Sequence, residues 1–259
     1  MSHLNKLKVC RLCHKPNKFA RSHVIARSFF LKIRGQHKHA IEVNLDAKQI
    51  SIFRQAGNYD KQMLCVECEP KFSSLDAYGF KVLGNPDVSR PILSHATIGT
   101  VEAYRVVGCD TDKLRKFILS VLWRASVSSL DFYDYVRLGP AFEREIIDKV
   151  FSPDVLPWDE FTVCISKFDQ NALGPYSGVL FPPLPHRDVT GMNCCSLYLP
   201  GLKMAIKVDH RPTPAFWWIS AIQHPSQFMM LHLYGKRVET ELGFLEQMTE
   251  RVRREKLTI

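Results

Sequence analysis

Apolar and polar positions change their spacing several times along the chain, and each change marks an element. Residues 19–25 have the pattern of a short strand, turning into one or two helical turns over 26–33. Residues 42–44 and 49–53 alternate polar and apolar, which predicts a hairpin turned around Asp46. From 69 to 80 the period lengthens to that of a helix. Phe72, Leu75, Ala77 and Phe80 can share one face there, with Glu69, Ser73 and Asp76 along another. The breaker cluster Gly84-Asn85-Pro86-Asp87 divides the chain into a head, 1–84, and a body, 85–259. In the body, 99–108 predicts a strand. Asp110 can cap a helix over 111–128 with Leu114, Phe117, Ile118, Val121 and Leu122 on its apolar side. A second helix is expected over 140–150. Beyond Pro153 come strand-like runs near 161–167, 177–181, 194–200, 203–208, 215–222 and 227–234, and a charged helix over 239–256 closes the chain. Helices followed by a mainly antiparallel sheet define an α+β body.

Composition adds less than charge does. At 259 residues with 46% hydrophobic and 24% charged positions, the chain can bury a sizeable core. Residues 1–9 lack the apolar core of a signal peptide, and no apolar run approaches the ~20 residues of a membrane-spanning helix, so the expected location is the cytoplasm, with no membrane partner. The net charge of +9 is unevenly placed. Residues 1–78 hold 14 Lys+Arg against 6 Asp+Glu, a balance of +8; the remainder holds 21 against 20, a balance of +1. A basic head on a nearly neutral body is the electrostatic footprint of a nucleic-acid binder, and equally of a basic surface that is merely solvated. A homodimer is compatible with this composition.

Eight cysteines in a reducing compartment argue against a disulfide framework. Four form two Cys-x-x-Cys pairs, Cys10/Cys13 and Cys65/Cys68, the spacing of a tetrahedral thiolate zinc site. Each pair makes a knuckle with both sulfurs aimed at one ion, so the expected zinc is structural. Cys109, Cys164, Cys194 and Cys195 have no such spacing and are expected to be buried apolar side chains.

Between the knuckles stands Ser22-His23-Val24-Ile25, and Glu69 directly follows the last ligand cysteine. In this order of knuckle, strand with His, knuckle and helix, the chain resembles the zinc-stabilised HNH (ββα-metal) endonucleases, and in its Ser-His segment and its Cys-x-x-Cys-Glu-x-x-Phe run it resembles uncharacterised bacterial and phage HNH-like proteins. The resemblance covers about the first 80 residues. It implies a small zinc-bound ββα-metal head in which His23 activates a water as general base and Asn58, or alternatively Asn44, orients it. Glu69, Asp76 and Ser22 would then hold a catalytic Mg²⁺ or Mn²⁺. A base titrating near neutrality and a hard cation are what phosphodiester hydrolysis demands. The family usually carries Asp or His where Ser22 stands and His where Glu69 stands, so both positions depart from its pattern. Arg21, Arg27, Lys32 and Arg34 are spaced to reach phosphates, DNA more than RNA.

The implied activity is metal-dependent cleavage of nucleic acid, with phage defence or mobile-element biology as its setting by analogy. A non-catalytic zinc-dependent nucleic-acid binder derived from such a nuclease is the alternative that Ser22 and Glu69 favour. A protein-interaction module, with the head only bracing the body, is a third.

Overall fold

The computed structural model describes residues 8–34, 40–42, 52–54, 57–84, 92–98, 101–169 and 180–243. The expected hairpin turn at Asp46, the seam after Gly84, Asn44, the side chain of Arg34 and the helix beyond 243 lie outside them.

The head is built from short pieces. Strand β1 (Ser22–His23) leads into helix α1 (Arg27–Arg34), strands β2 (Ala40–Glu42) and β3 (Ile52–Arg54) pair antiparallel, overlapping the expected 42–44 and 49–53 only in part, and β4 (Tyr59–Asp60) returns antiparallel to β1. A 3₁₀ turn, Glu69–Phe72, then opens helix α2 (Ser73–Gly79), which loosens into a π-turn over Phe80–Gly84.

The body is mixed α+β around a seven-stranded sheet. Its strands are β5 (Ile92–Ile98), β6 (Val101–Val107), β7 (Val163–Phe168), β8 (Phe181–Arg187), β9 (Asn193–Leu199), β10 (Leu202–Lys207) and β11 (Gln227–Leu233). They lie in the order β5-β6-β11-β7-β10-β9-β8, and every pair is antiparallel except β11 with β7. Strand β8 carries Pro182, Pro183 and Pro185, and it sits at the sheet edge with a bulge, where missing amide donors break no ladder. It begins where the run expected near 177–181 ends. Strand β5 had no sequence signal of its own, because Ser94, His95 and Thr97 interrupt its apolar positions.

One expected strand is a correction. Within 215–222 the chain forms the short helix Ala215–Trp218, started by Pro214, whose fixed φ suits a helix entry, with Trp217 buried and Trp218 half-exposed, and only Ala221 bridges to Cys164. The apolar run had suggested a strand. What decides is that Trp217 turns inward to donate to Asp188 (Nε1–Oδ2 3.2 Å) while Trp218 donates to the Thr213 carbonyl (3.0 Å).

Helix α3 (Thr111–Val127) is the central rod, and α4 (Pro140–Phe151) packs beside it. Asp110 caps α3 as expected, accepting from the Lys113 amide at 2.9 Å. The sequence suggests an amphipathic helix, yet fourteen of its seventeen residues are buried, three of them cationic. Burial of those charges is tolerated because each is bonded. Arg115 donates to the Leu156, Pro157 and Glu160 carbonyls at 2.7–2.8 Å, and its pKa is still pushed down to about 10 by desolvation. Lys116 donates to the Ser152 and Asp154 carbonyls and pairs with Asp112.

Head and body share one hydrophobic core, running from Cys10, Phe29 and Phe72 into Phe117, Ile118 and Trp123. Phe72 stacks on Trp123 at 5.8 Å between ring centres, and Phe29 on Phe117 at 6.1 Å. Helix α2 reaches α3 closely because Gly79 has no side chain; a Cβ there would stand 2.3 Å from the Phe117 ring. No helix among the described residues is long and apolar enough to cross a membrane.

Candidate functional site

The two knuckles converge. The Sγ atoms of Cys10, Cys13, Cys65 and Cys68 lie within 4.8 Å of one another, and Cys13 Sγ is 3.9 Å from Cys65 Sγ. A tetrahedron of sulfurs about 2.3 Å from a zinc ion has edges of roughly 3.8 Å, so the cluster fits a structural zinc without rearrangement. Three of the four are buried and Cys13 is partly so, as a closed centre requires. The backbone builds this arrangement. Arg11 donates to the Met63 carbonyl, Ala20 to Leu64 and Val66 to Lys18, each at 2.9 Å, which stitches the two segments side by side. His14 takes a left-handed conformation (φ 57°) to close the first knuckle, and its amide bonds the Cys10 carbonyl. The Cys65 amide points at Cys10 Sγ (3.4 Å). Burial pushes the Cys10 thiol up, but amide donors from Cys13, Cys65 and Leu12 outweigh it and bring the pKa down to about 7, toward the thiolate that binds metal. Cys68 is pushed upward by burial and by its sulfur neighbours, the crowding that a divalent ion would relieve. Among the described residues this is the one group of three or more Cys, His, Asp or Glu arranged to hold a metal.

Strands β1 and β4 pair antiparallel and bring the segment after Asn58 alongside His23. His23 is opposite Tyr59, so Asn58 lies one position outside the pair. The His23 ring is 6.0 Å from that of Tyr59 and 6.5 Å from that of Phe30. Gly57 makes room for this strand: its φ of +80° suits glycine, and a Cβ there would meet the Phe30 ring at 2.3 Å. Asp60, fully buried, accepts from the Ser128 hydroxyl and the Ser129 amide and hydroxyl, which ties β4 to the end of α3.

The residues suggested for a catalytic cation are brought near one another but do not form a ligand set. Both Asp76 oxygens accept from Arg124, at 2.9 and 2.6 Å, and the same guanidinium reaches the His23 carbonyl at 3.0 Å. Arg124 is 2% exposed and also lies over the Phe72 ring. Ser22 is buried, and its hydroxyl has no hydrogen-bond partner. Glu69 keeps its carboxylate half-buried at the first turn after the knuckle; burial pushes its pKa up, Asp76 adds to the rise, and Arg124 offsets part of it. A carboxyl raised in the fold costs stability once ionised, and that cost vanishes below the unfolded pKa. Glu69→Gln is therefore expected to stabilise the protein at pH 7, with the gain fading as acidification approaches the ordinary glutamate range and gone below it. Paired denaturation curves at pH 7 and pH 4 check this, and a loss of stability at pH 7 would contradict it.

Of the expected phosphate contacts, Arg21 and Arg27 are exposed, whereas the Lys32 ammonium bonds the Gly84 carbonyl. Arg34's side chain lies outside the described residues. Sequence reasoning missed Tyr59 and Lys61, and at Arg124 it missed the pairing with Asp76. Arg21 and Lys61 both stand over the Tyr59 ring, at 5.3 and 5.8 Å, forming an aromatic and cationic surface next to His23. The run Asn58-Tyr59-Asp60-Lys61 carried a signal for two of them, whereas Arg124 resembled any cation on an amphipathic helix.

No protein-family model, curated protein or solved structure matches the chain.

Proposed function

We propose that this chain is an HNH-type endonuclease: a zinc-braced head that hydrolyses phosphodiester bonds of nucleic acid, DNA rather than RNA, with His23 as general base. The observation that carries the reading is the antiparallel pairing of β1, bearing His23, with β4, bearing Asn58 at its edge, followed at once by the second knuckle and a helix opening on Glu69. In this reading His23 takes the proton of the attacking water and Asn58 fixes the imidazole. Arg21 and Lys61 beside Tyr59 hold the flanking phosphates. As the side chains stand, they do not assemble a site for a catalytic Mg²⁺ or Mn²⁺, and Glu69 is the carboxylate left without an arginine clamp.

The test is to incubate wild type and His23→Ala with plasmid, single-stranded DNA and RNA, with Mg²⁺, Mn²⁺ or neither. Wild type should cut, and the variant should lose at least roughly a hundredfold in rate with its zinc content intact. No cutting under any condition would remove the enzyme.

A second reading, a zinc-dependent nucleic-acid binder that does not cut, is favoured by the Asp76–Arg124 pair, which occupies a carboxylate the nuclease would need. Salt-sensitive retention of DNA without cleavage would select it.

A further inference from the structure

The β1–β4 ribbon has a dry face and a wet one. Ser22 and Asp60 stand opposite each other, are 1% and 0% exposed, and turn into the protein. His23 and Tyr59, the neighbouring pair, point to the other side by the two-residue repeat of a strand and are only partly buried. Arg21, just before β1, and Lys61, just after β4, join them there, both exposed and both reaching over the Tyr59 ring. The register that sets Ser22 opposite Asp60 brings Arg21 across from Lys61 one step on. Like charges facing one another across a strand pair destabilise it. Neither cation has an ion-pair partner among the described residues; each leans on the ring instead, Arg21 Cζ 5.3 Å and Lys61 Nζ 5.8 Å from its centre. Such contacts are weak at exposed sites, whereas an anion set between the two cations removes their repulsion.

Two cations flanking a half-buried aromatic ring suit a nucleotide, whose phosphate takes the cations and whose base takes the ring face. They suit an unpaired one. Inside a duplex both faces of each base are covered by neighbouring pairs, so a side-chain ring stacks only on a base that is single-stranded or turned out of the helix. A base stacked on Tyr59 puts its phosphodiester beside His23, whose ring centre is 6.0 Å from that of Tyr59.

We propose that Tyr59 stacks on one unpaired base while Arg21 and Lys61 hold its phosphates, so that the head takes single-stranded or frayed DNA in preference to intact duplex. This rests on the nucleic-acid reading of the head and names the strand form it selects. The test is fluorescence anisotropy of a labelled mixed-sequence DNA strand, alone and annealed to its complement, with the zinc-loaded full chain and no added Mg²⁺ or Mn²⁺, so that binding is read without cutting. Wild type should bind the single strand at least about fivefold more tightly than the duplex. Tyr59→Leu keeps apolar bulk without a ring face and should bring that ratio to within about twofold of unity, whereas Tyr59→Phe should preserve it. Equal zinc content and circular dichroism in Tyr59→Leu and wild type separate stacking from folding. Arg21→Gln combined with Lys61→Gln should weaken both probes and flatten the salt dependence. A wild-type ratio near unity, which needs no variant to measure, overturns the inference and leaves the nucleic-acid reading standing. So does a ratio that Tyr59→Leu leaves unchanged. Binding of neither probe overturns both.

Discussion

Replacing Cys65 with serine is expected to abolish zinc retention and lower the thermal midpoint of the whole chain by at least about 10 °C. Structural zinc contributes on the order of 10 kcal/mol to small domains that fold around it, against total stabilities of about 5–15 kcal/mol. Here the effect should not stay local. Cys10, Cys65 and Cys68 belong to the same core as Phe117, Ile118 and Trp123, and three backbone bonds that join the knuckles depend on the segments staying side by side. Without the ion, four sulfurs within 4.8 Å of one another would either repel as thiolates or remain as poorly bonded buried thiols. Calorimetry with metal analysis checks this, and wild type stripped by a chelator should reproduce the variant. A zinc-free protein that melts at the wild-type temperature would refute the structural role.

Asp76→Ala is expected to destabilise the protein by about 3–5 kcal/mol, because it leaves the Arg124 guanidinium buried without its counter-charge. The Asp76 and Arg124 side chains are 22% and 3% exposed, so solvent offers little compensation. The guanidinium also bonds the His23 carbonyl, which makes this pair the link between α2, α3 and the strand carrying the proposed base. Arg124→Met should be costly alone, yet the double variant Asp76→Ala/Arg124→Met should recover part of the loss, since no unpaired charge remains. Urea denaturation of the four proteins gives the coupling directly. A cost below about 1 kcal/mol for Asp76→Ala would mean that the ion pair is not held in solution, freeing Asp76 as a cation ligand and strengthening the metal-dependent form of the nuclease reading.

How far the sequence could be read follows from the range of the interactions involved. The knuckles, the Asp110 cap and most strands of the sheet depend on residues a few positions apart, so their spacing carries the signal. The short helix Ala215–Trp218 was misread as a strand because a brief apolar run has no distinguishing period, and where Trp217 turns is set by Asp188. Strand β5 was missed because Ser94, His95 and Thr97 break up its apolar positions, and its pairing with β6 is what makes it a strand. Helix α3 looked half-solvated because cations usually mark a wet face, whereas Arg115, Lys116 and Arg124 each find acceptors on other segments.

By itself the sequence determined the four thiolates, the His23 segment between them and the α+β composition of the body, because ligand spacing and periodicity are local properties of a chain. Only the tertiary structure decided that Asp76 is clamped by Arg124, 48 positions away, and that Glu102 meets His232 across 130. Which side chains meet over such separations depends on helix packing, strand order and register, and no local pattern encodes those.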